Sequence, residues 1–221
     1  MKFLLPALIF SAIFIHTSFA QQYRAKIFTS QGNILLELFD STPKHRDNFI
    51  QLARQNFYNG TLFHRVIPGF MIQGGDPDSK TAKPGQLLGD GDVGYTIPAE
   101  FIQSYFHKRG ALAQARDDNP AKASSGCQFY IVTGKKFTDA ALKKEEQRAA
   151  RTIPDYQKHI YKTEGGAPHL DGNYTVYGQV LKGMEVADKI VNRPRDKNDR
   201  PDENQVIKKI RIRKRFLFVW I

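Results

Sequence analysis

Short apolar segments separated by glycine and proline are the feature that most limits how this chain folds. From residue 62 to residue 133, strand-like segments of four to six residues alternate with turns rich in Gly and Pro. Several short strands, glycine-rich turns and few helices are typical of a closed antiparallel β-barrel. Closure also removes the exposed strand edges that favour aggregation. We therefore predict a mainly β fold, built as a closed antiparallel barrel.

The chain pattern places further elements around these segments. Two runs that flank Gln31-Gly32 predict a β-hairpin, with apolar and polar residues alternating along the second run. A helix is predicted after Thr42, which would cap it, with Pro43 in its first turn. A second short helix is predicted over 184–191. The predicted strands are 23–29, 33–39, 62–67, 70–73, 95–98, 110–115, 128–133, 174–181 and 206–213.

Residues 135–166 differ in composition from the rest of the chain. Ala140 to Arg151 is rich in Ala, Lys, Glu and Arg, which are strong helix formers, and Pro154 breaks this segment. The whole stretch 135–166 has too few large apolar residues to bury a core of its own. We predict a helical insertion within one domain that covers residues 21–221.

The first twenty residues have the layout of a secretory signal peptide. Lys2 precedes an apolar run from Leu4 to Ile15, and Ser18-Phe19-Ala20 ends the segment with small residues at positions −3 and −1. We predict cleavage after Ala20 and an exported protein, either periplasmic or secreted. The alternative is an uncleaved membrane anchor, since the uncharged stretch is just long enough to span a bilayer.

Charge and cysteine content narrow the possible partners. The formal net charge is +11, and the cations are scattered apart from Arg211 to Arg215. We find no nucleic-acid-binding motif and expect no nucleic acid, while anionic surfaces stay possible weak partners. Cys127 is the single cysteine, so no intrachain disulfide can form. Separately, we expect the protein to be a monomer. The apolar tail, within 214–221, either packs across the barrel end or is exposed.

The run from Phe63 to Asp76 carries the chemistry. It reads Phe-His-Arg-Val-Ile-Pro-Gly-Phe-Met-Ile-Gln-Gly-Gly-Asp, so a Pro-Gly turn joins two strand-like halves. Because alternate strand residues share a face, Arg65, Phe70, Met71 and Gln73 would converge on one concavity. Such a site suits a mostly apolar ligand that presents one polarisable amide. The segments 110–116 and 125–131 would add small residues, an amide and aromatic rings.

These segments resemble the cyclophilin family of peptidyl-prolyl cis-trans isomerases. The resemblance implies an eight-stranded β-barrel with two flanking helices, isomerisation of X–Pro bonds, and unfolded or partly folded proline-containing polypeptides as partners. The alternative is a proline-segment binding module or chaperone whose catalysis is incidental. No metal or other cofactor is expected. The matching segments, in the family's order, are 63–76, 94–101, 110–115, 128–131, 170–172 and 176–180.

The family pattern assigns roles to twelve positions. Arg65 resembles the catalytic arginine, and Gln73 the amide that holds the substrate backbone. His169 stands where many eukaryotic members carry the Trp tied to tight cyclosporin binding, so cyclosporin is a possible but weakened ligand. The other predicted substrate-binding residues are His64, Phe70, Met71, Ala115, Arg116, Gln128, Tyr130, Leu170 and Tyr174.

Overall fold

The computed structural model describes residues 23–216 and 219–220, so the predicted signal peptide lies outside the described residues. The strands are β1 Tyr23–Thr29, β2 Gly32–Leu38, β3 Phe63–Ile67, β4 Met71–Gly74, β5 Thr96–Ile97, β6 Ala111–Gln114, β7 Ser124–Ser125, β8 Phe129–Val132, β9 Val176–Lys182, β10 Ile207–Phe216 and β11 Val219–Trp220. The α-helices are α1 Pro43–Arg54, α2 Asp139–Ala149, α3 Asp155–Thr163 and α4 Met184–Val191. None of these four helices has the length and apolar composition needed to span a bilayer.

The main sheet is strongly curled. In the described residues it has nine strands in the order β11-β10-β1-β2-β9-β6-β8-β4-β3, and β5 pairs with β7 separately. Leu62, before β3, forms a single bridge with Val206, before β10. The Phe63 N–H donates to the Gln205 carbonyl at 2.8 Å, and the Ile207 N–H donates to the Thr61 carbonyl at 2.8 Å. The mainly β prediction is confirmed. Closure and the eight-strand count are not confirmed, since the described sheet has nine strands and a single bridge, rather than a continuous ladder, joins the segments that precede β3 and β10.

Apolar side chains from the inner face of the sheet and from α1 and α4 form the main core. The predicted β1–β2 hairpin is confirmed, and its alternate residues are buried, among them Ile27, Ile34 and Leu36. Phe49 of α1 lies over this face, with its ring centroid 5.5 Å from that of Phe129 in an edge-on contact. Burial of large aromatic side chains at this point ties α1 to the strands that carry the candidate site.

The N-terminus of α1 is capped by a distant residue. The Thr42 side chain makes no capping bond, and its hydroxyl donates instead to the Phe39 carbonyl at 3.4 Å. The Glu100 carboxylate accepts from the backbone N–H groups of Lys44 at 3.1 Å and of His45 at 3.0 Å. An anion at a helix N-terminus satisfies unpaired donors and the helix dipole. The predicted cap at Thr42 was therefore wrong, because tertiary contact supplied a stronger acceptor.

Helices α2 and α3 both lie within residues 135–166. Their buried side chains Leu142, Ile153 and Tyr161 form a small cluster with Phe106, which precedes β6. The insertion thus completes its apolar contacts with a residue from outside itself.

The apolar tail continues the sheet as far as it is described. Arg215 and Phe216 of β10 pair with Trp220 and Val219 of β11. The Trp220 ring lies under the Arg24 guanidinium, with 4.0 Å from the guanidinium carbon to the ring centroid, and Val219 is 61% exposed. Leu217, Phe218 and Ile221 lie outside the described residues.

Pairing of β1 with β10 concentrates positive charge that is dispersed along the sequence. Lys26 lies directly opposite Arg211, and Arg24 lies directly opposite Arg213. The Lys26 Nζ and the Arg211 guanidinium carbon lie 5.0 and 5.7 Å from the Phe28 ring centroid. Like charges directly opposite one another in a sheet are destabilising. This outer face therefore contributes solubility at a cost in stability.

Replacement of Lys26 by glutamate is expected to stabilise the fold by about 0.2–1 kcal/mol, because a repelling pair becomes an attracting one. Urea denaturation followed by fluorescence measures the free energy of unfolding. Lys26→Gln is the matched control, since it removes the repulsion without adding an attraction and should give a smaller gain. A loss of stability in Lys26→Glu would contradict this account of the face.

Candidate active site

One cavity of about 300 Å³ opens on the outer side of the sheet formed by β3, β4, β6 and β8. Its lining combines guanidinium and amide groups with aromatic and aliphatic side chains. Nine of the twelve predicted site residues line it: Arg65, Phe70, Met71, Gln73, Ala115, Arg116, Tyr130, Leu170 and Tyr174. The side chains come from segments more than 100 residues apart, and the curl of the sheet brings them together.

Strands β3 and β4 place the polar groups. The two strands are antiparallel, and Arg65 lies directly opposite Gln73. Residues directly opposite in a sheet share a face, so the guanidinium and the amide point to the same side. The Arg65 Nη1 donates to the Gln73 Oε1 at 3.4 Å, and the Arg65 side chain is 44% exposed. The guanidinium therefore has donors free to face a ligand in the cavity.

Gln128 orients Gln73 from behind. It is 5% exposed and does not line the main cavity. Its Oε1 accepts from the Gln73 Nε2 at 2.9 Å, and its own Nε2 donates to the carbonyls of Gly89 at 2.6 Å and Gly91 at 2.8 Å. These bonds turn the Gln73 carbonyl oxygen toward Arg65. Gln128 also lines a neighbouring cavity of about 400 Å³, which shares Ala115 and Arg116 with the first.

Besides Gln128, two predicted residues do not line the main cavity. His64 is 2% exposed, because neighbouring strand residues point to opposite faces and Arg65 takes the outer one. Burial disfavours the charged ring and lowers the pKa of His64 to about 4, so the ring is neutral at pH 7. His169 lies at the rim, with its ring centroid 5.1 Å from that of Phe70. His64 is therefore buried behind the cavity wall and does not line the cavity.

The floor and walls of the cavity are apolar and well packed. Met71, Tyr130 and Leu170 are all buried. Burial raises the pKa of Tyr130 well above its usual value, so its hydroxyl keeps its proton. Water is scarce at such a surface, and electrostatic interactions with the guanidinium are stronger there than in bulk solvent.

Arg116 lines the cavity, and its side chain is bound to neighbouring protein groups. Its Nε donates to the Asn173 carbonyl at 2.9 Å, and its guanidinium carbon lies 4.9 Å from the Tyr174 ring centroid. The guanidinium is therefore occupied within the protein, which leaves the extended backbone of this segment to face the cavity.

Asp199 contacts the candidate catalytic arginine and was not found from the sequence. Its Oδ2 lies 4.0 Å from the Arg65 Nε, and its carbonyl accepts from the Val66 N–H at 2.8 Å. Its Oδ1 accepts from the Arg195 Nε at 3.1 Å. Asp199 belongs to a loop, residues 192–204, that is rich in charged residues. No local pattern indicates which acid in that loop reaches β3.

Comparisons with known proteins agree with this geometry. The family model described as cyclophilin type peptidyl-prolyl cis-trans isomerase matches residues 24–212. A Streptococcus pyogenes protein named as a bifunctional phosphatase and peptidyl-prolyl cis-trans isomerase is 37% identical over 86% of this chain, which spans 38% of that protein. A Staphylococcus haemolyticus protein named as a peptidyl-prolyl cis-trans isomerase is 32% identical over 86% of this chain, which spans 90% of that protein.

A solved structure shares the architecture. The crystal structure of a Cryptosporidium parvum cyclophilin type peptidyl-prolyl cis-trans isomerase matches with a TM-score of 0.65 and 26% identity, over 86% of this chain and 97% of that one. A second crystal structure of that protein, in the presence of the dipeptide Ala-Pro, matches with a TM-score of 0.60 and 28% identity over 85% of this chain and 96% of that one. The matched sequence covers the whole cavity and the matched fold covers most of the described chain, so this chain is an enzyme of the cyclophilin-type peptidyl-prolyl cis-trans isomerase family.

Proposed function

We propose that this enzyme isomerises X–Pro peptide bonds in exported polypeptides, with Arg65 as its catalytic residue. The observation that carries the proposal is the placement of one half-exposed guanidinium over an apolar floor, beside an amide held in a fixed orientation. The apolar walls suit a proline ring, and the polar edge suits the peptide bond that precedes it. X–Pro isomerisation is slow enough to limit folding, so a compartment that receives unfolded chains has a use for this activity.

The reaction requires rotation about a bond and breaks none. The barrier is roughly 18–20 kcal/mol, because the nitrogen lone pair is delocalised into the carbonyl. A donor aimed at the prolyl nitrogen localises that lone pair and favours the twisted state over both planar states. Arg65 suits this task because a guanidinium stays protonated and its donors sit in a rigid fork.

The size of the arginine's contribution follows from general magnitudes. A hydrogen bond to a charged group is worth about 1.5–3 kcal/mol net, and each 1.36 kcal/mol is about tenfold in rate. One such bond therefore supplies about one to two orders of magnitude. The low-dielectric wall formed by Met71, Tyr130 and Leu170 would strengthen it. Holding the proline ring while the preceding carbonyl swings would supply a further share.

The substrate would lie across both cavities. Ala115 and Arg116 border the two, and Gln73 also lines both. We propose that the proline ring enters the first cavity and that residues preceding it extend toward the second. Gln73, whose amide orientation is set by Gln128, would then bind the substrate backbone close to the rotating bond.

A direct test is NMR exchange spectroscopy on a short X–Pro peptide at equilibrium. The purified protein should transfer magnetisation between the cis and trans peptide signals at a rate that scales with enzyme concentration. The test is repeated with peptides that carry different residues before the proline. A properly folded protein that leaves the exchange rate of all of them unchanged would refute the proposed activity.

Replacement of His169 by tryptophan is expected to tighten cyclosporin binding by about tenfold or more, because an indole would add apolar contact area at the rim beside Phe70. Inhibition of peptide exchange by cyclosporin measures this effect. His169→Phe is the matched control, since it enlarges the apolar ring without adding the indole N–H donor. Equal inhibition of the wild-type and His169→Trp enzymes would show that this position does not set the affinity.

Export is a separate part of the proposal. We infer cleavage after Ala20 from the layout of the first twenty residues. Expression of the full chain in a bacterial host, followed by fractionation and N-terminal sequencing, tests this. A periplasmic or secreted protein that begins at Gln21 is the expected result. A membrane-bound protein that keeps its first twenty residues would support the anchor instead.

A further inference from the structure

The helical insertion is joined to the cavity wall through a buried carboxylate. Asp171, next to the cavity residue Leu170, is 7% exposed. Its Oδ2 accepts from the Tyr161 hydroxyl of α3 at 2.6 Å and from the Arg151 Nη2, between α2 and α3, at 2.6 Å. Both donors belong to the insertion. A buried charge needs such partners, because an unpaired carboxylate in the protein interior is costly.

The same carboxylate holds a histidine on its other side. The Asp171 Oδ1 accepts from the His107 backbone N–H at 2.8 Å and lies 2.8 Å from the His107 Nδ1. Burial alone would raise the pKa of Asp171, but hydrogen bonds from His107 and Tyr161 outweigh it and hold the pKa below its usual value. Because a carboxylate only accepts hydrogen bonds, the Nδ1 of His107 must carry a proton.

His107 passes this orientation on to the cavity wall. Its Nε2 lies 3.0 Å from the Tyr130 hydroxyl, and the two rings are nearly parallel, with 15° between their planes. The Tyr130 hydroxyl and the His107 Nε2 thus form a hydrogen bond. The hydrogen bonds therefore link Tyr130 to His107, His107 to Asp171, and Asp171 to the insertion.

We propose that Tyr161 and Arg151 are positioning residues of the active site. Through Asp171 and His107 they hold the Tyr130 ring in the plane against which the substrate proline packs. The insertion would thus help to set the rate of the chemical step, in addition to any effect on access. This inference rests on the proposed isomerase function, since it concerns the geometry of that same cavity.

The series of hydrogen bonds from Tyr161 through Asp171 and His107 to Tyr130 has the features that a positioning role requires. Every partner between Tyr161 and Tyr130 is buried, and hydrogen bonds are electrostatically stronger in a low-dielectric interior than in water. The bonds are short and link groups of fixed orientation. A wall displaced by a fraction of an ångström changes the fit to the twisted substrate more than the fit to a planar one, and catalysis depends on that difference.

Tyr161→Phe tests the hydrogen bond with little change in packing. The ring would keep its apolar contacts, including the one with Phe106 at 5.4 Å between centroids. We expect kcat to fall about tenfold while KM changes less than twofold. Tyr156→Phe is the matched control, because its ring is 52% exposed on the same helix and its hydroxyl bonds only with Gln103 and Gln157. It should leave both constants within twofold of wild type.

A double-mutant cycle shows whether the effect travels through His107. Tyr130→Phe removes the hydroxyl that joins the cavity wall to His107. In that background, Tyr161→Phe should cause no further loss of kcat. The ring resonances of Tyr130 and the Nδ1 proton of His107 should also shift in Tyr161→Phe and stay in place in Tyr156→Phe. Equal losses of kcat in both backgrounds would overturn the proposal, as would unchanged kcat and resonances in a folded Tyr161→Phe protein.

A second variant covers the case in which Tyr161→Phe fails to fold. Arg151→Gln removes a different donor from Asp171 at a side chain that is 27% exposed, and it should lower kcat with the same dependence on Tyr130. An Arg151→Gln enzyme with wild-type kcat would overturn the proposal. A wild-type enzyme without exchange activity would instead refute the proposed function, so the two failures are distinguishable.

Discussion

Arg65→Ala is expected to lower kcat/KM by about 10²–10³-fold, which is the usual effect of removing one preorganised donor at a developing charge. Two guanidinium groups line the cavity within the described residues: that of Arg116 donates to the carbonyls of Asn173 and Asp117, whereas that of Arg65 donates to the side chain of Gln73. Its partners, Gln73 and Asp199, lie beside it and cannot replace it, because neither carries a positive charge. NMR exchange on an X–Pro peptide, or a protease-coupled assay, measures the loss.

Two controls separate chemistry from folding. The Arg65 side chain is 44% exposed, so its removal should leave the thermal midpoint nearly unchanged. Arg65→Lys keeps the charge and loses the planar fork, so it should recover only part of the activity. An Arg65→Ala enzyme as active as wild type would exclude the lone-pair mechanism, whatever the identity of the substrate.

Gly75→Ala is expected to lower the free energy of unfolding by more than about 3 kcal/mol, since two costs combine. Gly75 has φ of +96°, a backbone conformation that residues other than glycine rarely adopt. A Cβ added there would lie 2.4 Å from the Cys127 carbonyl oxygen, and this contact with backbone cannot be relieved by a rotamer change. Cys127 precedes Gln128, so the strain would also disturb the support of Gln73. Urea denaturation measures the loss of stability, and peptide exchange reports the effect on the site.

Gly60→Ala is the matched control for that prediction. Its φ of +82° carries a similar conformational cost, but a Cβ there would meet nothing within 4 Å. We expect a loss of about 1–2 kcal/mol and unchanged kcat. If Gly75→Ala and Gly60→Ala lose equal stability, the close approach of Gly75 to Cys127 is not a significant constraint.

Much of the site could be predicted because its pattern is local. Arg65 and Gln73 belong to two strands joined by a Pro-Gly turn, and period-two alternation is enough to place them on one face. The same rule excludes His64 from that face, and the structure buries it accordingly. His64 was assigned from the family motif taken as a unit, whereas strand alternation applied to each residue places it on the opposite face from Arg65.

Other features depend on partners that no local pattern identifies. Helix α1 is capped by Glu100 rather than by Thr42, and Asp199 reaches Arg65 from the far end of the chain. His107 lies outside the sequence segments that resemble the family, yet it is placed between Asp171 and the cavity wall. A hydrogen bond forms only when two groups approach within about 3 Å, and sequence spacing cannot specify that distance across a curled sheet.

A mainly β fold of the cyclophilin family, with Arg65 and Gln73 on one concavity, follows from the amino-acid sequence alone, because alternation, turn residues and the motif all act over a few neighbouring positions. Three features depend on the folded chain: the strong curl of the sheet, the cations that β1 and β10 bring opposite one another, and the bonds from the insertion to Asp171 behind Tyr130. These outcomes depend on how distant elements pack, and packing is settled by the whole core at once.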